Sequence, residues 1–295
     1  MTKNLFLIPA CLMLLCVSCN PSDNNEVPHR NDAAVTVCFE GFTATVSDFS
    51  KSRTRALDDP SDYEYVGALD LAFYDAEGAE VYKATQLKKD SSTYVCFGEF
   101  SFRLPEGNYT MVAIGRDVGT DDVFVLSSPT QAAYTSERAR ETFTAVQPVS
   151  ITGTASVSFN VSLSRVATKL VVNSTDGRPD GAAKIRTTYS AGSKSFNPTT
   201  GLASDNNGFG MTNTPKADIG SCINIKSFAF LTADEQTMNV TLEVLDADGG
   251  VMMRRMVPDV PFKRNRVTRL KGRLFSYSGA LKLDTAWVSP ITVDF

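Results

Sequence analysis

The residue types that carry out chemistry are thinly spread along this chain of 295 residues. Histidine, the commonest general base near neutral pH, occurs once, as His29. It lies ahead of the first strand-like pattern, so a Ser-His-Asp or Cys-His site inside the fold is excluded. A multi-histidine metal site is excluded with it. The carboxylate pairs Asp58-Asp59, Asp121-Asp122 and Asp234-Glu235 sit in turn-like contexts, where acidic residues are solvated. Asp246-Ala247-Asp248-Gly249 starts like a calcium loop but lacks the rest of that pattern and its terminal Glu, so it reads as a hairpin turn. Cys38, Cys96 and Cys222 show no C-x-x-C spacing, which removes a zinc or dithiol site. Two readings stay open for them: a Cys38–Cys96 bridge in an oxidising compartment, or three buried free thiols, which is preferred. No catalytic residue, metal or cofactor is assigned, and the chain is read as not an enzyme.

The cysteine with chemistry to do is Cys19. Lys3 precedes an apolar run from Leu5 to Val17, interrupted by Pro9. That is the charged and apolar grammar of an export signal, and it is shorter than the roughly 20 apolar residues that span a bilayer. The run stops at Val17-Ser18-Cys19. This resembles a bacterial lipobox, whose cysteine thiol takes a lipid and becomes the new N-terminus. An ordinary secretory signal cut near Ser18 is the other reading. Residues 1–18 are then a signal peptide and 19–34 a lipidated N-terminus and tether. Asn20-Pro21-Ser22-Asp23-Asn24-Asn25-Glu26 is polar and acidic and cannot form a core. Short acidic tethers of this kind resemble the surface-export signals of Bacteroidetes lipoproteins.

Without residues 1–18 the chain carries 28 Lys+Arg against 33 Asp+Glu, a net charge of about −5. No clustered basic surface suggests nucleic acid as a partner. A hydrophobic fraction of 42% supports a sizeable core. The remaining length suits two domains of ordinary size.

The elements that must position everything else are strands. Apolar residues alternate at Val35, Val37, Phe39; at Leu69, Leu71, Phe73; at Phe100, Phe102, Leu104; and at Tyr109, Met111, Ala113. The pattern returns at Val157, Phe159, Val161, Leu163, at Leu242 and Val244, and at Leu281 and Leu283. Period two marks half-buried strands. Turn residues fill the gaps, at Ala76-Glu77-Gly78, Pro105-Glu106-Gly107-Asn108, Asp176-Gly177 and 246–250. The expected fold class is an all-β sandwich, with one short helix considered within 136–145. A domain boundary is expected between residues 163 and 164. The halves are alike in strand content, but no repeat at fixed spacing is visible.

Three segments carry a family likeness. The first is Leu69-Asp70-Leu71-Ala72-Phe73-Tyr74-Asp75-Ala76-Glu77-Gly78, leading to Phe102-Arg103-Leu104-Pro105-Glu106-Gly107-Asn108-Tyr109. The second is Leu163-Ser164-Arg165-Val166-Ala167-Thr168-Lys169-Leu170, and the third runs from Val260 to Phe275 through Lys263-Arg264-Asn265-Arg266-Val267-Thr268. In this order, behind a lipobox, they resemble the Bacteroidetes fimbrial subunit superfamily: the fimbrillin-like proteins and the minor anchor-subunit lipoproteins of type V pili.

The resemblance implies two tandem transthyretin-like β-sandwich domains with Greek-key character, 35–163 and 164–295. It implies a surface-exposed fimbrial subunit, lipid-anchored in the outer membrane, assembled by β-strand exchange and contributing to adhesion. Its partners would be other fimbrial subunits and a host or bacterial surface receptor. In the family an arginine-specific protease clips a loop after the first strand. Here Arg53 and Arg55 in Lys51-Ser52-Arg53-Thr54-Arg55 are the candidates, with a plain solvated loop as the equal alternative. Ile291, Val293 and Phe295 alternate at the C-terminus and form a candidate donor strand, or else complete the chain's own sheet. A short tail with a retained lipid fits an accessory or anchor subunit better than a stalk subunit. Asp284-Thr285-Ala286 resembles the O-glycosylation triplet of Bacteroidetes exported proteins. Trp287 and the nine tyrosines keep a second class open, a surface glycan-binding lipoprotein.

Overall fold

Alternating apolar residues become strands when one face finds a core and the other finds water. In a computed structural model, which describes residues 32–43, 65–120, 123–276 and 282–283, this happens nearly throughout. The first half holds β1 (Ala33–Thr43), β2 (Ala68–Tyr74), β3 (Glu80–Leu87), β4 (Glu99–Leu104), β5 (Gly107–Arg116), β6 (Phe124–Ser128), β7 (Gln131–Tyr134), β8 (Thr142–Ile151) and β9 (Val157–Arg165). The second half holds β10 (Thr168–Ser174), β11 (Lys184–Tyr189), β12 (Ser195–Asn197), β13 (Leu202–Ala203), β14 (Phe209–Asn213), β15 (Asn224–Ala229), β16 (Glu235–Leu245), β17 (Val251–Lys263), β18 (Val267–Gly272) and β19 (Lys282–Leu283). Only Val166 and Ala167 separate β9 from β10.

The fold is all-β, as the alternation and turns led us to expect. The helix considered within 136–145 does not form. That stretch is irregular and enters β8, and Ala139 makes a bridge to Phe228. The tertiary bridge overrides the weak local preference. The described helical structure is a single 3-10 turn at Ser91–Thr93.

The strand order β3-β2-β5-β8-β9-β1-β4 forms one seven-stranded sheet. It folds over on itself, because β8 and β9 pair only at Phe143↔Arg165 and Thr144↔Ser164. Two layers result, β3-β2-β5-β8 and β9-β1-β4. Their facing side chains, among them Val35, Val37, Leu69, Leu71, Phe73, Met111, Val161 and Leu163, make one core. The turn between β2 and β3 has local causes. Asp75 Oδ1 accepts from the N–H of Glu77 at 3.1 Å and of Ala79 at 2.7 Å, and Gly78 takes φ +83°.

The second half repeats this pairing. β14-β11-β16-β17 matches β3-β2-β5-β8, and β15-β10-β18 matches β4-β1-β9. The sense of each pair is preserved: β1 runs parallel to β9 and antiparallel to β4, and β10 runs parallel to β18 and antiparallel to β15. A second core fills this sandwich, around Leu170, Val172, Ile185, Val240, Leu242 and Leu270.

Each half also carries a short insert, and the inserts find each other. β6-β7 from the first half and β12-β13 from the second form a four-stranded sheet, joined at Ser195↔Ala133 and Phe196↔Ala132. Beneath it lies a third core drawn from both halves: Ala72, Tyr74, Val112, Ile114, Tyr134, Phe196 and Phe230. β2 is therefore buried on both faces, where alternation predicted one. Its second-face carboxylate, Asp70, is met by Arg116 Nε at 2.7 Å and Thr85 Oγ1 at 2.6 Å.

Candidate functional site

Val35, Val37 and Phe39 face the core, and the pairing places β1 in the middle of its layer, between β4 and β9. It pairs with β4 from Ala33↔Leu104 to Cys38↔Glu99, and with β9 from Val35↔Val157 to Thr43↔Ser164. Ala33, Val35, Val37 and Phe39 are buried, at 0–4% exposure. The Phe39 and Phe100 rings lie 5.5 Å apart. The register with β9 shifts between Phe39 and Gly41, and the Phe39 N–H donates to Gly98 O at 2.9 Å. At the N-terminal end Arg103 Nη1 donates to Asp32 O at 2.9 Å. Taking β1 out of this slot would leave two rows of unpaired backbone groups above an apolar trough.

The other predicted site residues fall outside the described part. Cys19 precedes it. Arg53 and Arg55 lie in the 44–64 stretch that joins β1 to β2, and Ile291, Val293 and Phe295 follow residue 283. Ahead of that tail, β19 pairs antiparallel with β18 at Leu270↔Leu283 and Lys271↔Lys282. No disulfide joins Cys38, Cys96 and Cys222. The expectation of three buried thiols is corrected: Cys96 and Cys222 are exposed and Cys38 is half-buried. Cys96 and Cys222 sit in connections between strands, where no core residue covers them.

The second and third family-like segments meet at the junction of the halves, a relation that neither shows alone. Asn265 takes φ +58° in the β17–β18 turn, a left-handed conformation that asparagine tolerates. Its N–H donates to Ala167 O at 3.1 Å, and its Oδ1 accepts from Arg165 Nη1 at 3.1 Å. Arg165 also pairs with Glu141 at 2.8 Å, both side chains being buried, and its guanidinium lies 4.7 Å over the Phe143 ring. Lys169 donates its backbone N–H to Arg266 O. Its side chain packs over Phe228 at 5.6 Å, and burial lowers its pKa to about 8, partly offset by Glu141. Arg264 Nη1 donates to Thr200 O at 2.8 Å, reaching the insert of the second half.

Asp176 was readable only as a turn residue. Its carboxylate accepts from the backbone N–H of Leu274 at 2.7 Å and Phe275 at 2.9 Å, and from Ser276 Oγ at 3.0 Å. Burial pushes its pKa up, but these donors outweigh burial and hold it below the usual carboxylate value. It pins the chain between β18 and β19.

The fold is thus a pair of like-wired β-sandwiches clasped by a shared sheet, with β1 paired on both sides at the core of one of them. The chain belongs to a family of unknown function, DUF6562, whose model matches residues 29–294. No curated protein matches it. Among solved structures it is similar to a candidate adhesin from Bacteroides ovatus, with 10% identity over 86% of this chain and 93% of that one and a TM-score of 0.51. A candidate polysaccharide-binding protein from Bacteroides thetaiotaomicron gives 11% identity, 85% and 96% coverage, and a TM-score of 0.50. The fimbrial anchor protein Mfa2 from Porphyromonas gingivalis gives 13%, 81% and 90%, and 0.49. At these identities the likeness is one of fold.

Proposed function

We propose that the chain is a cell-surface fimbrial subunit, in an accessory or anchor position, assembled by β-strand exchange and contributing to adhesion rather than catalysis. The observation that carries this reading is the place of β1. It fills the core and is hydrogen-bonded on both sides, yet it is preceded by the polar tether and followed by the stretch that holds Arg53 and Arg55. Its counterpart β10 is tied to β9 through two residues and cannot leave. A cut after Arg53 or Arg55 would free β1 together with the end that bears Cys19 and open its slot to an extended segment of a neighbour, whereas an anchor subunit left uncut keeps both its first strand and its lipid. In this reading Cys19 carries the lipid, the outer membrane holds the chain with its folded part outside, and residues 35–163 and 164–295 are two domains. The partners are other fimbrial subunits and a host or bacterial surface receptor. Adhesion is what the name of the Bacteroides ovatus relative offers for this fold.

A glycan-binding lipoprotein is the second reading, favoured by the Bacteroides thetaiotaomicron relative. It wants exposed aromatic rings on one face. Tyr65 is exposed, and Trp287, the ring on which this reading was opened, lies outside the described residues.

The deciding experiment is a gel of surface material run without boiling and probed for this chain. Strand-exchanged polymers give a ladder that collapses on boiling. A lone monomer band in both lanes rejects assembly by strand exchange.

A further inference from the structure

We propose that β1 is a tension-bearing plug: a pull on the N-terminal end of the chain is carried into the fold by sliding β1 along β9, not by peeling it away. The pairing sets this. β1 and β9 are parallel, with Val35 opposite Val157 and Thr43 opposite Ser164. The chain enters this layer at the N-terminal end of β1 and leaves it at the C-terminal end of β9, towards β10. At about 3.3 Å per residue the two points of load sit roughly 25 Å apart, at opposite ends of the same pair. Force between them acts along the strands, so the hydrogen bonds on both flanks of β1 are loaded together.

Sliding is opposed by more than hydrogen bonds. A shift of one residue would turn Val35, Val37 and Phe39 away from the core. A shift of two keeps the faces but must move the irregularity between Phe39 and Gly41 out of the place where it is built. Arg103 on Asp32 O holds the end at which the pull arrives.

β4 lacks this geometry. It is an edge strand, antiparallel to β1. Its first residue, Glu99, marks the end nearer the exit of β9, since it faces Cys38, which faces Asn160. A pull applied ahead of Glu99 would open β4 from β1 one pair at a time.

The exposed Cys96 and Cys222 offer attachment points for a single-molecule pulling test on residues 20–295, which contain every described element. In one arm the chain is held by a handle fused at residue 20 and by Cys222, with Cys38→Ala and Cys96→Ala. In the other it is held by Cys96 and Cys222, with Cys38→Ala. The first arm should rupture at a several-fold higher force. Val161→Ala in β9, a buried position opposite Phe39 and on the far side of β1 from β4, should lower the rupture force in the first arm and leave the first rupture in the second unchanged. Equal forces in the two arms, or an equal effect of Val161→Ala on both, would overturn the proposal. The inference rests on strand pairing alone, so a chain that forms no polymers on the gel can still pass this test.

Discussion

Lys169 shows what a single buried charge does at the junction. Burial lowers its pKa from 10.5 to about 8, against a partial lift from Glu141 and with Lys226, Arg165 and Arg269 adding to the drop. Below pH 8 the lysine is charged in both the folded and unfolded chain, and the folded chain holds that charge where it is less well solvated. Between about pH 8 and 10 the folded chain has released the proton and the unfolded chain has not. The unfolded state then binds more protons, so stability rises with pH across that window. Tyr74 and Tyr82 reverse the trend higher up. Burial holds both protonated to about pH 12, with Glu80 adding to the effect at Tyr74, while their unfolded counterparts ionise near 10. The melting temperature should therefore climb from pH 8 to 10 and fall beyond. Lys169→Met should flatten the climb and leave the fall. A climb that survives in the variant would assign it to some other group.

At the scale of elements, Asp176 ties the β10–β11 loop to the chain entering β19, so its loss should be felt in the C-terminal strand region. Asp176→Ala should cost about 1–2 kcal/mol, a charge-assisted set of hydrogen bonds discounted for partial exposure, and make the region after residue 272 the first site of proteolysis. In the unaltered chain the same contribution is present above the ordinary carboxylate pKa and is lost as pH falls through the lower folded value. Acid should thus mimic the substitution. Unchanged proteolysis in Asp176→Ala would show that β18–β19 pairing holds the segment without it. The element scale is also where sequence and structure part. β1, β4 and β9 were legible because one face of each meets a core and the other meets water or half-burial, so alternation survives. β5 was legible only in part: its Val112 and Ile114 face the shared core, which erases the polar phase of the pattern. β6, β7, β12 and β13 left no readable period, being two to five residues long, and the pairing that joins them, β7 with β12, spans the two halves. The duplication was hidden for the same reason. Inserts of different length sit at different points, after β5 in one half and after β11 in the other, so equal wiring gives no equal spacing. Of the candidate site, the apolar face of β1 was visible. Its central place was not, because pairing partners cannot be read from alternation.

For the whole molecule, the question is whether the two sandwiches behave as one body. Each has its own core, which alone would let them melt apart. The coupling is the shared sheet with the third core beneath it, and the clasp of Arg165, Ala167 and Asn265. Phe196 is the centre of that coupling. It is fully buried, its ring lies 4.4 Å from Phe230, and it reaches Phe124 of the other half at 6.4 Å. Removing such a ring costs about 3–5 kcal/mol, and here the cost falls on the contact between halves and not on either sandwich core. The unaltered chain should give one calorimetric transition, with calorimetric and van't Hoff enthalpies in agreement. Phe196→Ala should split it into two, one for each sandwich. Tyr82→Ala serves as the comparison: it touches only the first core, so it should lower a single transition without splitting it. Two transitions in the unaltered chain would mean that the shared sheet does not couple the halves. One transition in Phe196→Ala, merely lowered, would mean that the clasp at Asn265 suffices without it.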